Sequence, residues 1–537
     1  GIGGYHLACD ARNEAVVRSL RERKYRKEKA FAVMVPTVEI ARSVAELSSD
    51  AEALLTSPAR PIVLAPAKIL LPEVAPENDE LGLMLPYAPL HHLLFAMGAP
   101  EVLVMTSANR SSEPIAYDDD DARQRLHGLA DAFLTGGRAI ARRVDDSVTR
   151  TGVFGPMILR RSRGYAPGAV ATLPTRTPVL ALGADLKNTV TLVVNQQAFM
   201  SQHIGDLDHY EALQSFRETI QDLVSMYEVD WDELLILHDR HPQYASTAHA
   251  LELPARRKQG IQHHRAHIAS VLAEKQAWNK RVIGVSFDGT GYGGDGTIWG
   301  GEFFAGSIME GFQRVMHLRK ALLPGGDAAS RNPVQCAAGF LAEIVGLPDF
   351  SAAPFRFSVR YEQSLQLVAT RMRTFESTSM GRLFDAAAAL LGFVRDVTFE
   401  GQAAMWLEHI ARGAAVREGY PFPIIGDELD FRPLLRAVIR DRLRGRDLSE
   451  IARAFQSGIA ESLCAAVKMM CEAHSVDTAV LSGGVFQNEL LLGDVKSLLS
   501  AEPIHIWVNA AVPPNDGGIS LGQAALGAFT HWGESNA

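Results

Sequence analysis

Two histidines four positions apart offer the residue types and the spacing of a metal site. His263 and His267 belong to the run His-His-Arg-Ala-His, and a helix there would place both imidazoles on one face. Such a pair suits zinc or iron, provided that carboxylates complete the ligand set. Taken alone, the pair is explained equally well as a polar helix start with chance histidines.

An apolar run that ends in an aspartate and glycines offers one of the missing carboxylates. Residues 282–287 are apolar apart from one serine, and Asp-Gly-Thr-Gly follows them. Glycines let backbone N–H groups approach a phosphate, and ligands of open sheets bind at the carboxyl ends of strands. The alternative is an Asp-Gly hairpin turn. Because glycines continue densely to Glu302, we favour a phosphate loop formed by Asp288, Gly289, Thr290 and Gly291.

A second glycine turn follows another apolar run near the end of the chain. Residues 478–482 read Thr-Ala-Val-Leu-Ser, and Gly483 and Gly484 would then open a helix whose N-terminus attracts anions, with Asn488 nearby. Alone, this motif is better explained as a plain strand–turn–helix connection. Two such loops far apart in sequence nevertheless suggest a nucleotide held between two lobes.

Asp516 lies in Pro-Pro-Asn-Asp-Gly-Gly, just before a helix that we expect to start near Ser520. As an isolated residue it is best read as a helix N-cap. Beside two histidines and Asp288, it becomes a candidate for the fourth metal ligand.

Basic and small polar residues near the N-terminus form another group. Cations that precede a strand suit a triphosphate, and serine and asparagine suit its oxygens or a small amide-like substrate. A solvated basic helix end is the commoner explanation of any single charge run. The candidates are Lys24, Arg26 and Lys29 before the strand expected at 30–35, Ser107 and Asn109 after the strand expected at 101–106, and Arg161.

The elements that would position these residues alternate between strands and helices. Further strands are expected at 61–65, 178–182 and 189–194, and a long amphipathic helix is expected from Ser449, with that serine as its N-cap. Three prolines and no helical period at 166–178 indicate a linker. The fold class is therefore α/β with largely buried strands, and 537 residues predict two to four domains.

Composition excludes several classes of protein. The net charge of −9 argues against a general nucleic-acid binder, and we find no apolar run long enough for a membrane span. Four cysteines without a Cys-x-x-Cys pair make a disulfide framework or zinc ribbon unlikely and favour the reducing cytoplasm. The chain starts at Gly1 rather than Met, which leads us to expect a further domain upstream.

In combination, these motifs resemble two known domain types. Residues 1–10 (Gly-Ile-Gly-Gly-Tyr-His-Leu-Ala-Cys-Asp), the Lys24/Arg26/Lys29 cluster and residues 106–109 resemble a YrdC-like, acyl-adenylate-forming domain. Residues 183–188 and 201–206, the histidine pair, Asp288-Gly-Thr-Gly and Leu481-Ser-Gly-Gly-Val resemble the TsaD-like, actin-related fold with two ribonuclease-H-like lobes. The order of the two domains is that of HypF-type carbamoyltransferases, and antibiotic O-carbamoyltransferases have the reverse order.

The resemblance covers essentially the whole chain and implies a function. It implies a YrdC-like domain at 1–170 that makes carbamoyl-adenylate from carbamoyl phosphate and ATP with Mg, and a TsaD-like domain at 178–537 that transfers the carbamoyl group. The acceptor would be the C-terminal cysteine of HypE, on the route to the cyanide ligands of [NiFe]-hydrogenase. Complete family members also carry an acylphosphatase domain and zinc-finger modules upstream, which leaves open whether this chain processes carbamoyl phosphate unaided.

The same resemblance assigns roles to individual residues. Lys24, Arg26 and Lys29 would neutralise phosphate charge, and Ser107 and Asn109 would orient ATP. Nucleotide contacts would come from Arg161, Asp288, Gly289, Thr290, Gly291, Gly483, Gly484 and Asn488, and Zn or Fe would be held by His263, His267, Asp288 and Asp516. The two half-reactions could also be divided the other way between the domains.

Two other functions compete with this one. A tRNA threonylcarbamoyl transferase uses the same two domain types, but its tRNA should require a basic surface, which the net charge of −9 disfavours. An ATP-driven binding protein of the actin and chaperone superfamily would explain the two glycine loops, but neither the histidine pair nor the YrdC-like half. Metal analysis separates the last possibility, because it needs no transition metal.

Overall fold

The computed structural model describes residues 1–110, 113–415 and 418–530, and the chain divides into two compact units. The first unit comprises residues 1–260 and 509–537, and the second comprises residues 261–508. Each unit has sheets and helices of its own.

The first unit opens with a mixed sheet and the helices that connect its strands. The elements are β1 (His6–Asp10), α1 (Glu14–Lys24), β2 (Ala32–Met34), α2 (Val38–Val44), α3 (Ser49–Thr56), β3 (Ile62–Pro66), β4 (Glu80–Met84), α4 (Pro89–Ala96), β5 (Leu103–Ser107), α5 (Asp119–Arg125), β6 (Val148–Gly152) and β7 (Gly155–Arg160). The seven strands lie in the order β1-β5-β2-β4-β3-β6-β7. Asn13 caps α1 by accepting a hydrogen bond from the Val16 N–H, and the apolar faces of the helices bury a core against the sheet.

A second sheet follows in the same unit. Its elements are β8 (Ala169–Thr172), β9 (Val179–Ala181), β10 (Thr191–Val194), β11 (Gln197–Met200), α6 (Tyr210–Met226), β12 (Leu235–Asp239), α7 (Ala245–Glu252) and β13 (Arg257–Ile261). The strand order is β13-β12-β9-β10-β11-β8. Strands β9 and β12 are fully buried, and α6 places Phe216 and Ile220 in the core beside them.

The second unit contains a nine-stranded sheet flanked by helices. Its elements are α8 (His263–Glu274), β14 (Val282–Tyr292), β15 (Ile298–Ser307), β16 (Gly311–Leu318), β17 (Ala321–Pro324), α9 (Asp327–Arg331), α10 (Pro333–Leu341), α11 (Val359–Thr370), β18 (Thr374–Ser377), α12 (Met380–Leu391), α13 (Gln402–Arg412), β19 (Ile424–Ile425), β20 (Glu428–Leu429), α14 (Phe431–Leu443), α15 (Leu448–His474), β21 (Thr478–Ser482), α16 (Glu489–Leu498) and β22 (His505–Val508). The main path runs β19-β20-β16-β15-β14-β21-β22, and β17 and β18 lie off it.

The register of β14 and β21 brings the two glycine motifs to one place. These strands are parallel, and Ser286 lies opposite Ser482. Both motifs begin within two residues of that pair, so they lie at the same end of the paired segments of β14 and β21.

The chain then returns to the first unit through a short 3₁₀ turn (Asp516–Gly518) and α17 (Ile519–Thr530). The Gln523 side chain accepts a hydrogen bond from the Gly183 N–H at 2.9 Å and donates one to the Gly183 carbonyl at 3.1 Å. The final helix is thereby fixed to the second sheet, beside the end of β9.

The structure confirms the α/β class and the strands predicted at 30–35, 61–65, 101–106, 178–182 and 189–194 to within two residues. The strand that starts at Val282 was expected to end at the aspartate, but it continues to Tyr292. The structure corrects two further local predictions. The stretch at 166–178 is not simply a linker, because β8 lies within it and pairs with β11 at the edge of the second sheet. The cap of α15 is Asp447, whose carboxylate accepts from the Ser449 N–H, so the helix begins one residue before the predicted cap. Either side chain suits an N-cap, and only the backbone decides between them.

Among the described residues, no helix is both long enough and apolar enough to cross a membrane.

Candidate functional site

The two histidines of the predicted metal site occupy the first turns of α8. Gln262 caps this helix by accepting from the Arg265 N–H at 3.0 Å, which fixes where the helix begins. His263 and His267 are one turn apart and are both almost fully buried. Their Nε2 atoms lie 3.4 and 3.5 Å from Oδ2 of Asp288. The predicted helix and its shared face are thus confirmed, and three of the predicted ligands lie together.

Asp288 uses its second carboxylate oxygen in a different contact. Oδ1 accepts a hydrogen bond from the Gly484 N–H at 3.0 Å. A Cβ atom on Gly484 would lie 2.9 Å from the same oxygen, and one on Gly483 would lie 2.3 Å from the Phe287 carbonyl oxygen. Glycine at both positions therefore permits the close approach of the second glycine turn to the end of β14.

The charge of Asp288 is maintained despite its burial. Burial alone would raise the pKa of this carboxyl, but hydrogen bonds to His263 and His267 outweigh it and lower the pKa well below its usual range. Burial and the neighbouring His263 lower the pKa of His264 well below its usual range, which keeps that imidazole neutral. An ionised carboxylate is the form of Asp288 that metal binding requires.

The Asp-Gly-Thr-Gly motif is neither a hairpin turn nor a separate loop. It lies inside β14, where the pairing with β15 shifts register between Phe287 and Gly291. The turn of the hairpin comes later, where the Gly293 N–H donates to the Thr297 carbonyl. Such a bulge frees backbone groups from the ladder while the strand continues. The phosphate contacts of Asp288, Gly289, Thr290 and Gly291 remain predictions.

The second glycine turn also differs from its prediction in local geometry. Gly484 begins a 3₁₀ turn that ends at Gln487, and the α-helix starts only at Glu489. Asn488 is the N-cap of that helix, because its Oδ1 accepts from the Leu491 N–H at 2.9 Å, and its Nδ2 donates to Gln456. The predicted nucleotide contacts of Gly483, Gly484 and Asn488 remain predictions.

Asp516 is not the helix N-cap that its isolated motif suggested. The capping side chain belongs to Asn515, which accepts from the Gly517 N–H at 3.0 Å. Asp516 is the first residue of the 3₁₀ turn that precedes α17 and is buried. Asp516 belongs to the first unit, and its role as a metal ligand remains a prediction.

In the first unit, Lys24 joins the predicted basic cluster to the predicted serine and asparagine. It is fully buried at the end of α1, and its Nζ donates to the carbonyl oxygens of Ser107 and Asn109, both at 2.6 Å, and to the Asn109 side chain. Ser107 Oγ donates to the same Asn109 side chain at 2.9 Å. Burial, together with Arg26, lowers the pKa of Lys24 to about 7. The loop after β5 is thus held by a buried amine.

The other two predicted cations differ from Lys24 in exposure. Arg26 donates to the carbonyl oxygens of Lys29 and Ala30, which curls the chain between α1 and β2. Lys29 is accessible to solvent and yet densely surrounded by protein, and desolvation together with Arg160 lowers its pKa to about 7.

Arg161, which was predicted to contact the nucleotide, is used in hydrogen bonds within the protein. Its guanidinium is buried and donates to the carbonyl oxygens of Met200, Tyr165 and Gly168 at 2.7–3.0 Å. These bonds tie the end of the first sheet to the second sheet. Its predicted nucleotide contact remains a prediction.

Sequence reasoning missed a buried arginine beside the first glycine motif. Arg382 lies in the first turn of α12, and its Nη2 is 3.5 Å from the position that a Cβ on Gly289 would take. Ser379, which caps α12, donates to the Gly289 carbonyl and accepts from the Arg382 N–H. Nothing in the sequence around Gly-Arg-Leu-Phe-Asp distinguishes this arginine from a solvated one.

Three protein families match successive parts of the chain. Residues 1–162 match the Sua5/YciO/YrdC family, described as "Telomere recombination". Residues 174–274 match the family described as "HypF Kae1-like domain", and residues 284–523 match "Carbamoyltransferase, Kae1-like Domain, second subdomain".

Curated relatives and a solved structure agree with these matches. The chain is 38% identical to "Carbamoyltransferase HypF2" of Cupriavidus necator over 97% of its length and 70% of that protein. It is 39% identical to "Carbamoyltransferase HypF" of Rhodobacter capsulatus over 98% of its length and 70% of that protein. A crystal structure of full-length HypF in the phosphate- and nucleotide-bound form is 38% identical, with a TM-score of 0.93, and the match covers 98% of this chain and 83% of that one.

Proposed function

Because the chain belongs to the HypF carbamoyltransferase family and is an enzyme of that class, we propose that it activates a carbamoyl group with ATP and passes it to the C-terminal cysteine of HypE. The activated species is carbamoyl-adenylate, and the product serves the synthesis of the cyanide ligands of [NiFe]-hydrogenase. Carbamate alone is a poor electrophile, and attachment to AMP gives its carbon a good leaving group. We place the enzyme in the reducing cytoplasm, which suits four free cysteines.

We assign adenylate formation to residues 1–170. An oxygen of carbamate attacks the α-phosphorus of ATP, the bond to the bridging oxygen breaks, and pyrophosphate leaves with its electron pair. Lys24, Arg26 and Lys29 would neutralise the charge that develops on the phosphates, which suits MgATP as the substrate. Ser107 and Asn109 would orient the nucleotide, and the bonds from Lys24 to both residues support a preformed loop.

We assign carbamoyl transfer to residues 178–537. The thiolate of the acceptor attacks the carbamoyl carbon, the bond to the phosphate oxygen breaks, and AMP leaves. The nucleotide would lie on the glycine motifs, with contacts from Gly289, Thr290, Gly291, Gly483, Gly484 and Asn488. The hydrogen bond from the Gly484 N–H to Asp288, which joins the two motifs, supports this assignment.

The residues present fit a Zn or Fe ion. Ligand atoms about 2.1 Å from a tetrahedral metal lie about 3.4 Å from one another. Asp288 Oδ2 lies 3.4 and 3.5 Å from the two imidazole nitrogens, as such a site requires. His263, His267, Asp288 and Asp516 would hold the ion. When bound, it would supply a positive charge beside the adenylate phosphate.

The state of the cysteines supports an acceptor thiol on a partner. Burial raises the pKa of Cys9 and Cys471 to about 11, that of Cys464 to about 12, and that of Cys336 further still. A thiol with so high a pKa forms little of the thiolate that attacks a carbonyl carbon. None of the four is therefore suited to accept the carbamoyl group.

The cluster of His263, His267 and Asp288 in a chain of this family carries the proposal. The test is to incubate the protein with ATP, carbamoyl phosphate and HypE, and to weigh HypE by mass spectrometry. We expect one carbamoyl adduct on the C-terminal cysteine, which disappears without ATP and with a Cys→Ser acceptor. A parallel reaction with bicarbonate and ammonia supplies carbamate directly. Absence of the adduct in both reactions would contradict the proposal.

A further inference from the structure

We propose that Arg382 is an anion-binding residue of the second unit and donates to a phosphate oxygen of the nucleotide beside the Asp288–Gly291 bulge. This inference rests on the proposed function and adds a residue to it. Arg382 was absent from every expectation drawn from the sequence. Its burial, its position and its unused donors together carry the assignment.

The position of Arg382 is set by the close approach of α12 to the bulge. A Cβ on Gly381 would lie 2.8 Å from the Gly289 Cα, so the two backbones are in contact. Ser379 Oγ donates to the Gly289 carbonyl, which anchors the start of the helix there. The Arg382 side chain leaves the first turn of α12 with its Nη2 toward Gly289. Its charge therefore lies beside the motif predicted to receive phosphate.

The donors of this guanidinium are unusual among the buried arginines of the chain. Arg161 donates to three carbonyl oxygens, and Arg453 forms a two-point contact with Asp494 and a further bond to Ser457. Arg382 has one ion pair, from Nη2 to Asp385 at 3.2 Å. Within the described ranges, its Nε and Nη1 are buried and have no hydrogen-bond partner.

A purely structural arginine would not be left in this state. Its side chain is 92% buried, because only 8% of its surface is exposed. Two buried donors without acceptors are costly, and native structures tolerate such donors chiefly where a ligand, an ion, an ordered water or a motion uses them. One ion pair orients the group without saturating it, so the guanidinium can turn toward an incoming oxygen. A phosphate oxygen matches it best, since arginine recognises phosphate through paired, charge-assisted hydrogen bonds.

The charge balance around the bulge points the same way. Asp288, Asp385 and Glu400 all act electrostatically on Arg382, and a phosphate would be repelled by these carboxylates if no cation lay between. Arg382 supplies that positive charge. A bound phosphate would add an acceptor to a guanidinium that now has one ion-paired carboxylate.

The test compares AMP with adenosine, which lacks the phosphate, and uses inorganic phosphate as a third ligand. Calorimetry with AMP, adenosine and inorganic phosphate is carried out on the full chain in an Asn109→Ala background, which is chosen to weaken the nucleotide site of the first unit. We expect Arg382→Gln to weaken AMP binding about tenfold or more while leaving adenosine binding unchanged, because only AMP presents the anion. Arg382→Lys keeps the charge and should recover part of the loss.

Two control variants separate this role from a structural one. Arg360→Gln removes a positive charge from an exposed ion pair of the same unit and should leave AMP binding unchanged. Asp385→Asn removes the partner of Arg382 and should retain a preference for AMP over adenosine. Thermal melting of each variant confirms that it is folded.

The outcomes distinguish the inference from the proposed function. Equal weakening of AMP and adenosine in Arg382→Gln, or no weakening of either, overturns the role of Arg382 alone. Binding of inorganic phosphate that Arg382→Gln abolishes, without any effect on AMP, would assign the residue to free phosphate and also overturn it. If the Asn109→Ala protein binds no AMP at all, the nucleotide site of the second unit is wrong, and this inference fails with it.

Discussion

Buried polar side chains occur in both predicted sites, but their partners differ. Lys24 and Arg161 of the first unit donate to main-chain carbonyl oxygens, so their hydrogen-bonding capacity holds loops in place. His263 and His267 of the second unit face a carboxylate oxygen at distances longer than a good hydrogen bond. In the first unit, the donors of these side chains are satisfied by acceptors of the protein. In the second unit, the distances between the side chains are those expected for ligands around a metal ion.

This difference teaches how the two sites should respond to change. Where hydrogen bonds hold a loop in place, a mutation that moves the loop weakens binding of the substrate that the loop contacts. A site built on converging ligands loses function when any one ligand is removed, together with the ion. Four experiments exploit the contrast, and they are arranged from the largest expected effect to the smallest.

The largest effect is expected for His263→Ala. Loss of one of four ligands should abolish stoichiometric metal and reduce carbamoyl transfer by about 100-fold or more, while the fold is retained. Metal content by mass spectrometry, transfer from supplied carbamoyl-adenylate and thermal melting measure the three effects. His505→Ala, at an exposed position of β22, is the matched control. Full metal content in His263→Ala would show that the convergence of these side chains is structural.

Lys29→Ala and Asn109→Ala test the first unit. Each removes a group expected to bind ATP, and the loss of one charge-assisted bond predicts a fall of about 50-fold in adenylate formation, measured as pyrophosphate release. Transfer from supplied carbamoyl-adenylate should be unchanged in both. The reverse result, with adenylate formed and transfer lost, would exchange the roles of the two regions.

Gly291→Ala tests the fit around the histidines with a single methyl group. The added Cβ would lie 2.5 Å from His264 Cε1 and 2.7 Å from His263 Cδ2, so the rings must shift. We expect metal affinity to fall about tenfold, because ligand positions must hold within a few tenths of an ångström. Gly294→Ala is the control, since its Cβ meets no described atom within 4 Å. Equal metal affinity in the two variants would count against a preformed site.

The smallest effect is a dependence of ATP binding on pH. Desolvation, with Arg26 beside Lys24 and Arg160 beside Lys29, lowers the pKa of both amines to about 7. Only the protonated amine attracts phosphate, so ATP affinity should be constant below pH 7 and should fall as the pH rises above it. Lys24 already donates to three acceptors within the protein, so we expect the dependence from Lys29, with a fall of about fivefold between pH 7 and 8. Lys29→Arg stays charged in this range and should reduce the slope, whereas a flat profile in the native protein would exclude the charge role.

Several strands were predictable because they are short apolar stretches bounded by glycine, proline or polar residues. The runs that became β3, β5 and β21 were placed to within two residues, since buried strands of an α/β sheet read as continuous apolar stretches. The edge strand β8 was missed because flanking prolines made its four residues read as a linker. An edge position tolerates such a sequence, and pairing with β11 is a tertiary fact.

The candidate site was predictable where the spacing of residues along the chain is enough to bring their side chains together. The pair His263 and His267 required only that the segment be helical. The reading of Asp516 as a helix cap was wrong by one residue, because Asn515 suits a cap equally well and one residue of register decides. Arg382 could not be found at all, since a sequence does not show which arginine is buried or which donors lack partners.

The two carboxylate oxygens of Asp288 make different contacts. One oxygen faces the histidines and the other accepts the Gly484 N–H, so a charge placed near the first alters the strength of the second bond. If the proposed ion binds there, its occupancy and the order of the glycine turn are linked equilibria of a single carboxylate. By reciprocity, whatever factor the ion contributes to nucleotide affinity, the nucleotide contributes to retention of the ion.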